Sequence, residues 1–257
     1  MNRAWIVAAV LTSTLSLLAE DSARKAAPSY SAGDIVDSAS CTPGALAPYS
    51  LATVFGKDLA FDTEQAGSTV RNELAGAGVF VGGVPAQLLY ASPTQINFVV
   101  PSWLRPADVK IRVVRQGVTG PDVVVTLLED APQLFRDATG YAVAAHADYG
   151  LVTPDSPASP GELIILYASG LGATSPDLPV SGAPAVAQLI KRFADIRVLV
   201  NGAAVDQGSI AYAGVSPGSA GLYQVNVRLP ATSDPDPEIR LAIGDQSSAA
   251  GLKLVLR

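Results

Sequence analysis

Two stretches of this chain repeat one another, and the repeat limits what the rest can become. Tyr90–Pro101 reads YASPTQINFVVP, and Tyr212–Pro230 reads YAGVSPGSAGLYQVNVRLP. Each opens on a tyrosine, passes a Ser-Pro turn and enters an alternating run that a proline ends. Ile96, Phe98 and Val100 fall on one face of the first run, with Gln95 and Asn97 opposite. Val225, Val227 and Leu229 do the same in the second, against Gln224, Asn226 and Arg228. A period of two marks a strand with one buried and one wet face. Two copies in one chain point to a duplicated β unit.

Further matches keep the same order. PYSLATVFGKDLA (Pro48–Ala60) lies over PGELIILYASGLGA (Pro160–Ala173), and VFVGGVPAQ over VLVNGAAVD. Gly82-Gly83 and Asn201-Gly202 are pairs suited to tight hairpin turns. Gly 23 and Pro 19 fall between short apolar runs, as all-β chains require. Each half carries roughly seven short strands, the pattern of an immunoglobulin-like sandwich. The expected architecture is all-β: two tandem immunoglobulin-like sandwiches at 34–131 and 132–257, docked through Ala131–Phe135 rather than joined by a long linker. Pro184–Phe193 is compatible with either a helical turn or a loop.

The amino terminus reads as an export signal. Arg3 supplies a positive start, Trp5–Leu18 an apolar stretch and Ala19 a small residue for cleavage, giving a signal peptide over 1–19. The run is shorter than the ~20 apolar residues of a membrane span, so no stable span is expected after cleavage. Residues 20–33 are polar and aperiodic, and read as a linker. The formal net charge of -6 offers no basic footprint for nucleic acid. Cys41 is the single cysteine, which excludes an internal disulfide, and it reads as a small buried thiol.

The order SASCTPGALAPYSLATVFGKDLA, VPAQLLYASPTQINFVVP, LYASGLGATSP and YAGVSPGSAGLYQVNVRLP resembles an uncharacterised family of carboxy-terminal domains in secreted acidobacterial proteins. The resemblance covers the chain from about Val36 to Leu256. Each half also resembles the IPT/TIG (E-set) branch of the immunoglobulin-like folds, in which a Pro-Gly turn leads into a strand. These resemblances imply a secreted, modular β-sandwich protein and supply no catalytic residue. Tyr49 departs from the pattern, standing where a glycine usually follows the proline.

Candidate chemistry is sparse. Gly214-Val215-Ser216-Pro217-Gly218 fits the hydrolase elbow G-x-S-x-G, but Pro217 has no N–H for an oxyanion hole, and a strand follows instead of a helix. Ser22–Lys25 fits S-x-x-K inside the presumed linker, without companion motifs. His146, the only histidine, reads as a polar strand position, with a His–carboxylate pair left open. Asp234, Asp236 and Glu238 alternate with prolines and read as a solvated turn rather than a calcium loop. No catalytic, cofactor or metal residue is assigned.

What remains is a recognition loop. Ala213–Tyr223 is longer than its counterpart in the first half, and Tyr212, Ser216, Ser219, Leu222 and Tyr223 are its candidate contacts. The competing reading packs Tyr212 and Tyr223 between the sheets. The expectation is a non-catalytic exported binding or structural module, for polysaccharide or an envelope protein, of undetermined oligomeric state. Two alternatives stay open. One is a carbohydrate-active hydrolase or accessory subunit using dispersed Asp and Glu. The other is adhesion by β-strand addition at a sheet edge.

Overall fold

A computed structural model describes residues 26–67, 69–178, 185–231 and 234–257. The proposed signal segment and Ser22–Lys25 lie outside them. The chain is all-β and forms two immunoglobulin-like sandwiches, each of two antiparallel sheets. The principal strands of the first are β1 (Ile35–Asp37), β2 (Leu51–Phe55), β3 (Ala77–Val81), β4 (Gln87–Ala91), β5 (Gln95–Val99), β6 (Ala107–Arg115) and β7 (Val123–Leu127). Those of the second are β8 (Gln133–Leu134), β9 (Ala144–His146), β10 (Leu163–Ser169), β11 (Ile196–Val200), β12 (Ile210–Val215), β13 (Tyr223–Arg228) and β14 (Ile239–Ile243). Two-residue strands extend the sheet edges.

The duplication extends to register. One sheet of the first sandwich runs β1-β2-β5-β4, and its counterpart runs β9-β10-β13-β12, with β8 also pairing β10. Thr53 of β2 faces Asn97, and Ile165 of β10 faces Asn226. Bulges sit at the same place in both, between Leu88 and Tyr90 and between Ile210 and Tyr212, so that each tyrosine faces the repeated asparagine. The Gln-x-Asn pairs make one hydrogen bond twice: Gln95 Nε2 donates to Asn97 Oδ1 (2.8 Å) and Gln224 Nε2 to Asn226 Oδ1 (3.1 Å). The opposing sheets pair β3 with β6 and β11 with β14. Asn201 and Gly202 hold φ 50° and 79°, and Gly82 and Gly83 hold 58° and 83°, the hand a two-residue hairpin needs.

Each sandwich has its own core, and the first lends residues to the second. Ile96, Phe98 and Val100 are buried in the first, Val225, Val227 and Leu229 in the second. Val99 lies on the opposite face of β5 from Phe98, yet it is buried in the second core together with Tyr49. Tyr49 takes φ 64°, the left-handed conformation that its counterpart Gly161 takes at 78°. The turn geometry of the Pro-Gly pattern is therefore kept by a residue with a side chain, at a strain of about 1–3 kcal/mol. Its ring meets Tyr223 edge-on, with centroids 5.9 Å apart. Burial raises the Tyr49 phenol above its ordinary value.

Polar groups complete the seam. Leu51 N donates to Ser169 Oγ (3.1 Å), Ala131 N donates to Gly170 O (2.8 Å), and Arg192 Nη1 grips both oxygens of the buried Asp130 (2.8 and 3.1 Å). A Cβ on Gly170 would lie 2.0 Å from Ala131 O, so only glycine permits this approach.

Two expectations need correction, and one open choice is decided. The described part of the presumed linker, 26–33, is built into the first sandwich: Ser29 and Lys57 exchange backbone hydrogen bonds, and Tyr30 is buried. The Tyr30 hydroxyl donates to Pro121 O (2.6 Å) and accepts from Val113 N (2.7 Å). One amphipathic anchor in a polar stretch leaves no periodicity to read. Cys41 is exposed, because it ends a tight turn at φ 53°, where Cys41 N donates to Asp37 O. Of the Pro184–Phe193 stretch, residues 185–193 form a loop with a short strand at Leu189–Ile190, and a single 3-10 turn begins at Phe193. Among the described residues no helix is long and apolar enough to cross a membrane.

Candidate functional site

An open cleft of about 440 Å³ lies on the outer face of the β8/β9-β10-β13-β12 sheet. Three adjacent segments make its floor. Phe135 N donates to Tyr167 O, Tyr167 N to Val143 O and Val143 N to Phe135 O, which fixes the three residues side by side. On β10, Leu166 and Ala168 point into the core, so the alternation turns Tyr167 outward, where it is half-buried. Ser216, Pro217, Ser219 and Leu222 form one wall. Ser216 N donates to Leu222 O (2.9 Å) and Gly218 N to Ala185 O (2.8 Å), so this wall is a tied turn with no helix.

The opposite rim is Tyr149. It sits at the tip of the turn after β9 with φ 69° and is 65% exposed. His146 N donates to Gly150 O and Tyr149 N to His146 O, while Asp148 Oδ1 caps Gly150 N (2.9 Å). A large side chain held outward on left-handed backbone is costly for folding alone. Burial raises the Tyr167 phenol, and neighbouring Tyr149 adds to the effect. The lining thus offers three aromatic rings, several hydroxyls and no charged group.

The candidate contacts divide here. Ser216, Ser219 and Leu222 line the cleft. Tyr212 and Tyr223 do not. Tyr223 is fully buried, donates to Gly172 O (2.5 Å) and is driven far above its usual pKa by burial. Tyr212 donates to Val215 O (2.8 Å) and Gln188 O (3.3 Å). Sequence reasoning missed Phe135, Val143, Tyr149 and Tyr167. Tyr149 could have been found as an aromatic at an Asp-x-Gly turn tip, and Tyr167 as an aromatic on the wet face of an otherwise apolar strand. Phe135 was expected to dock the halves. Ala131, Pro132 and Leu134 are the buried residues of that segment, and Phe135 turns to the cleft.

His146 does gain a carboxylate. Its Nδ1 meets Glu162 Oε1 at 2.5 Å, and its Nε2 lies 3.2 Å from both Oγ and the carbonyl oxygen of Ser156. The chain Ser156–His146–Glu162 has the connectivity of a hydrolytic triad, but Nε2 lies as close to the Ser156 carbonyl as to its hydroxyl, and none of the three residues lines the cleft. The Ser156 N–H is spent on Thr153 O. The hydrogen bond to Glu162 raises the imidazole above its ordinary value. No carboxylate lines the cleft. Asp234 and Glu238 accept from Asn201 Nδ2 and Gly251 N. Among the described residues no cluster of three His, Cys, Asp or Glu could hold a metal.

No protein-family model matches the chain, and no curated protein matches it. Solved structures do. The surface glycan-binding protein SGBP-B of the Bacteroides ovatus mixed-linkage glucan utilization locus, in complex with a mixed-linkage heptasaccharide, is similar over 82% of this chain and 44% of its own, at 11% identity and TM-score 0.34. PbSGBP-B of Prevotella bryantii, a surface glycan-binding protein, is similar over 89% and 42%, at 11% identity and TM-score 0.28. Domains 5-6 of the S-layer protein SbsC are similar over 89% and 98%, at 13% identity and TM-score 0.27. The chain spans less than half the length of the two glycan-binding proteins. At such scores these likenesses carry no argument about a ligand.

Proposed function

We propose that this protein is a non-catalytic, exported recognition module that binds a neutral polysaccharide in the cleft framed by Phe135, Tyr149, Tyr167 and Leu222. One observation supports this reading above the others: three aromatic rings and flanking hydroxyls line a concave surface without a charge. Sugar rings offer apolar C–H faces and hydroxyl edges, and tyrosines and serines match both. The cleft falls in the size range of small-ligand sites. Export, to the envelope or the medium, is supported by the pattern Arg3, Trp5–Leu18, Ala19. The residue order that resembles the secreted acidobacterial domains supports the same setting.

The test is a binding screen of the full chain against neutral and acidic polysaccharides. It runs beside Tyr149→Ala, Tyr167→Ala and a variant with the Ser216–Leu222 turn shortened to the first half's length. Binding of neutral chains that all three variants abolish supports the cleft. Binding that survives all three refutes it.

A further inference from the structure

A smaller cavity, of about 170 Å³, lies where the two sandwiches meet. Ser40 and Thr42 line it from the turn after β1, Gln133 and Arg136 from β8 and the chain just beyond, and Ser248 from the loop after β14. Its polar groups are donors with little to donate to. Ser40 and Thr42 share one hydrogen bond between their hydroxyls (2.8 Å), which leaves one of the two protons unspent. Ser248 is buried and accepts from Leu241 N on Oγ (3.0 Å), but its own hydroxyl proton meets no acceptor among the described residues. Gln133 spends its carbonyl oxygen on Ala249 N (3.5 Å), and its amide protons meet no acceptor among the described residues. The Arg136 guanidinium has neither an ion-pair nor a hydrogen-bond partner among them. Of the carboxylates close by, Glu238 accepts from Gly251 N (2.6 Å) and Asp37 from Ala39 N (2.9 Å) and Ser40 N (3.1 Å). No carboxylate lines the cavity.

We propose that this seam cavity binds a small monoanionic carboxylate, of the size of a single sugar acid, gripped by Arg136 and by donors from both sandwiches. The site is separate from the neutral cleft and stands whether or not the cleft binds polysaccharide. A surplus of donors calls for a ligand rich in acceptors. One guanidinium matches one negative charge, and its planar fork matches a carboxylate with two parallel N–H donors. The volume is below the roughly 300–1,000 Å³ of drug-sized sites, which suits a compact anion. Ser40 and Thr42 belong to one sandwich, Gln133, Arg136 and Ser248 to the other, so the bound anion would fasten the seam.

The test titrates the full chain with D-glucuronate, beside D-glucose and inorganic sulfate. Amide NMR signals of Gln133, Arg136 and 249–251 report the site, and calorimetry reports the seam. Expected are saturable shifts with glucuronate, none with glucose and weaker ones with sulfate. The melting temperature should climb with glucuronate concentration, as for any ligand of the folded state. Arg136→Gln should weaken glucuronate binding about tenfold or more, and Thr42→Val, on the other sandwich, about threefold. Both side chains are exposed, so neither change should disturb folding. Glucuronate that moves these amides no more than glucose overturns the proposal and leaves the donors to water. Sulfate that binds as tightly as glucuronate overturns it too, because charge alone would then suffice. Affinity unchanged in both variants places the anion elsewhere and removes the site.

Discussion

The same sheet corner is built twice in this molecule and ends differently each time. In the first sandwich the turn between β4 and β5 is only Ser92–Thr94. Ser92 caps it, accepting from Gln95 N on Oγ (3.0 Å) and donating its own N–H to Gln95 O (2.8 Å). In the second, Ser216–Leu222 stands in its place and raises a wall. Phe55 and Tyr167 occupy equivalent positions, opposite Gln95 and Gln224. Phe55 is exposed, whereas Tyr167 is the floor of the cleft. Shared register with divergent turns shows that the sheet is common to both halves, and that the cleft comes from what differs at its corners.

The largest way to break the comparison lies at the seam. Gly170 and its counterpart Asp58 both have positive φ, 74° and 57°. Gly170→Ala should lose about 3 kcal/mol or more in chemical denaturation, because the new Cβ meets a carbonyl that cannot move away. Asp58 already carries a Cβ at its positive φ, so Asp58→Ala brings no new contact and should cost less, about 1–2 kcal/mol, through loss of its ion pair with the buried Arg115 guanidinium (3.5 Å). Equal costs would show that the approach of Ala131 O adds nothing at Gly170.

Tyr49 sharpens it next. Tyr49→Gly relieves the left-handed strain but empties a ring's space beside Tyr223. A net loss of about 2–3 kcal/mol is expected, the balance of an aromatic truncation and the strain released. One unfolding transition is expected of the parent chain and two of this variant, as calorimetry would show. One intact transition in this variant would mean that the halves are held by other contacts.

Tyr149→Gly should move stability and binding in opposite directions. Stability rises by up to about 1 kcal/mol, since glycine accepts φ 69° freely. Polysaccharide affinity should drop at least about tenfold, as for loss of an aromatic anchor. A variant neither more stable nor weaker in binding would make the Tyr149 conformation incidental.

The smallest effect follows pH. The folded imidazole of His146 is raised above its unfolded value. Its contribution to stability is therefore complete below about pH 6.5 and is lost as pH rises through the raised folded value. Denaturation midpoints should fall slightly over that window and stay level in His146→Gln.

The fold was legible because burial on one face of a strand imposes a period of two, and Ile96/Phe98/Val100 and Val225/Val227/Leu229 carry it openly. The repeated asparagines even mark the bulge positions. The site was half legible. A long turn announces itself, so Ser216, Ser219 and Leu222 could be named from its length. Tyr212 and Tyr223 could not be told from core, because a tyrosine satisfies its hydroxyl on a nearby carbonyl as readily as on a ligand. Phe135, Val143 and Tyr167 become neighbours only through cross-strand pairing. Tyr30 and Cys41 went astray for a related reason: single residues outside a periodic run are placed by distant contacts.

One strand, β5, serves two masters: Phe98 faces its own sandwich while Val99 faces the next. A chain stretched by its ends would accordingly not extend as two independent beads. Tension applied to the second sandwich is passed to the centre of the first, and the two should yield in one rupture. The cleft on the second sandwich would keep its angle to the first until the whole unit gave way.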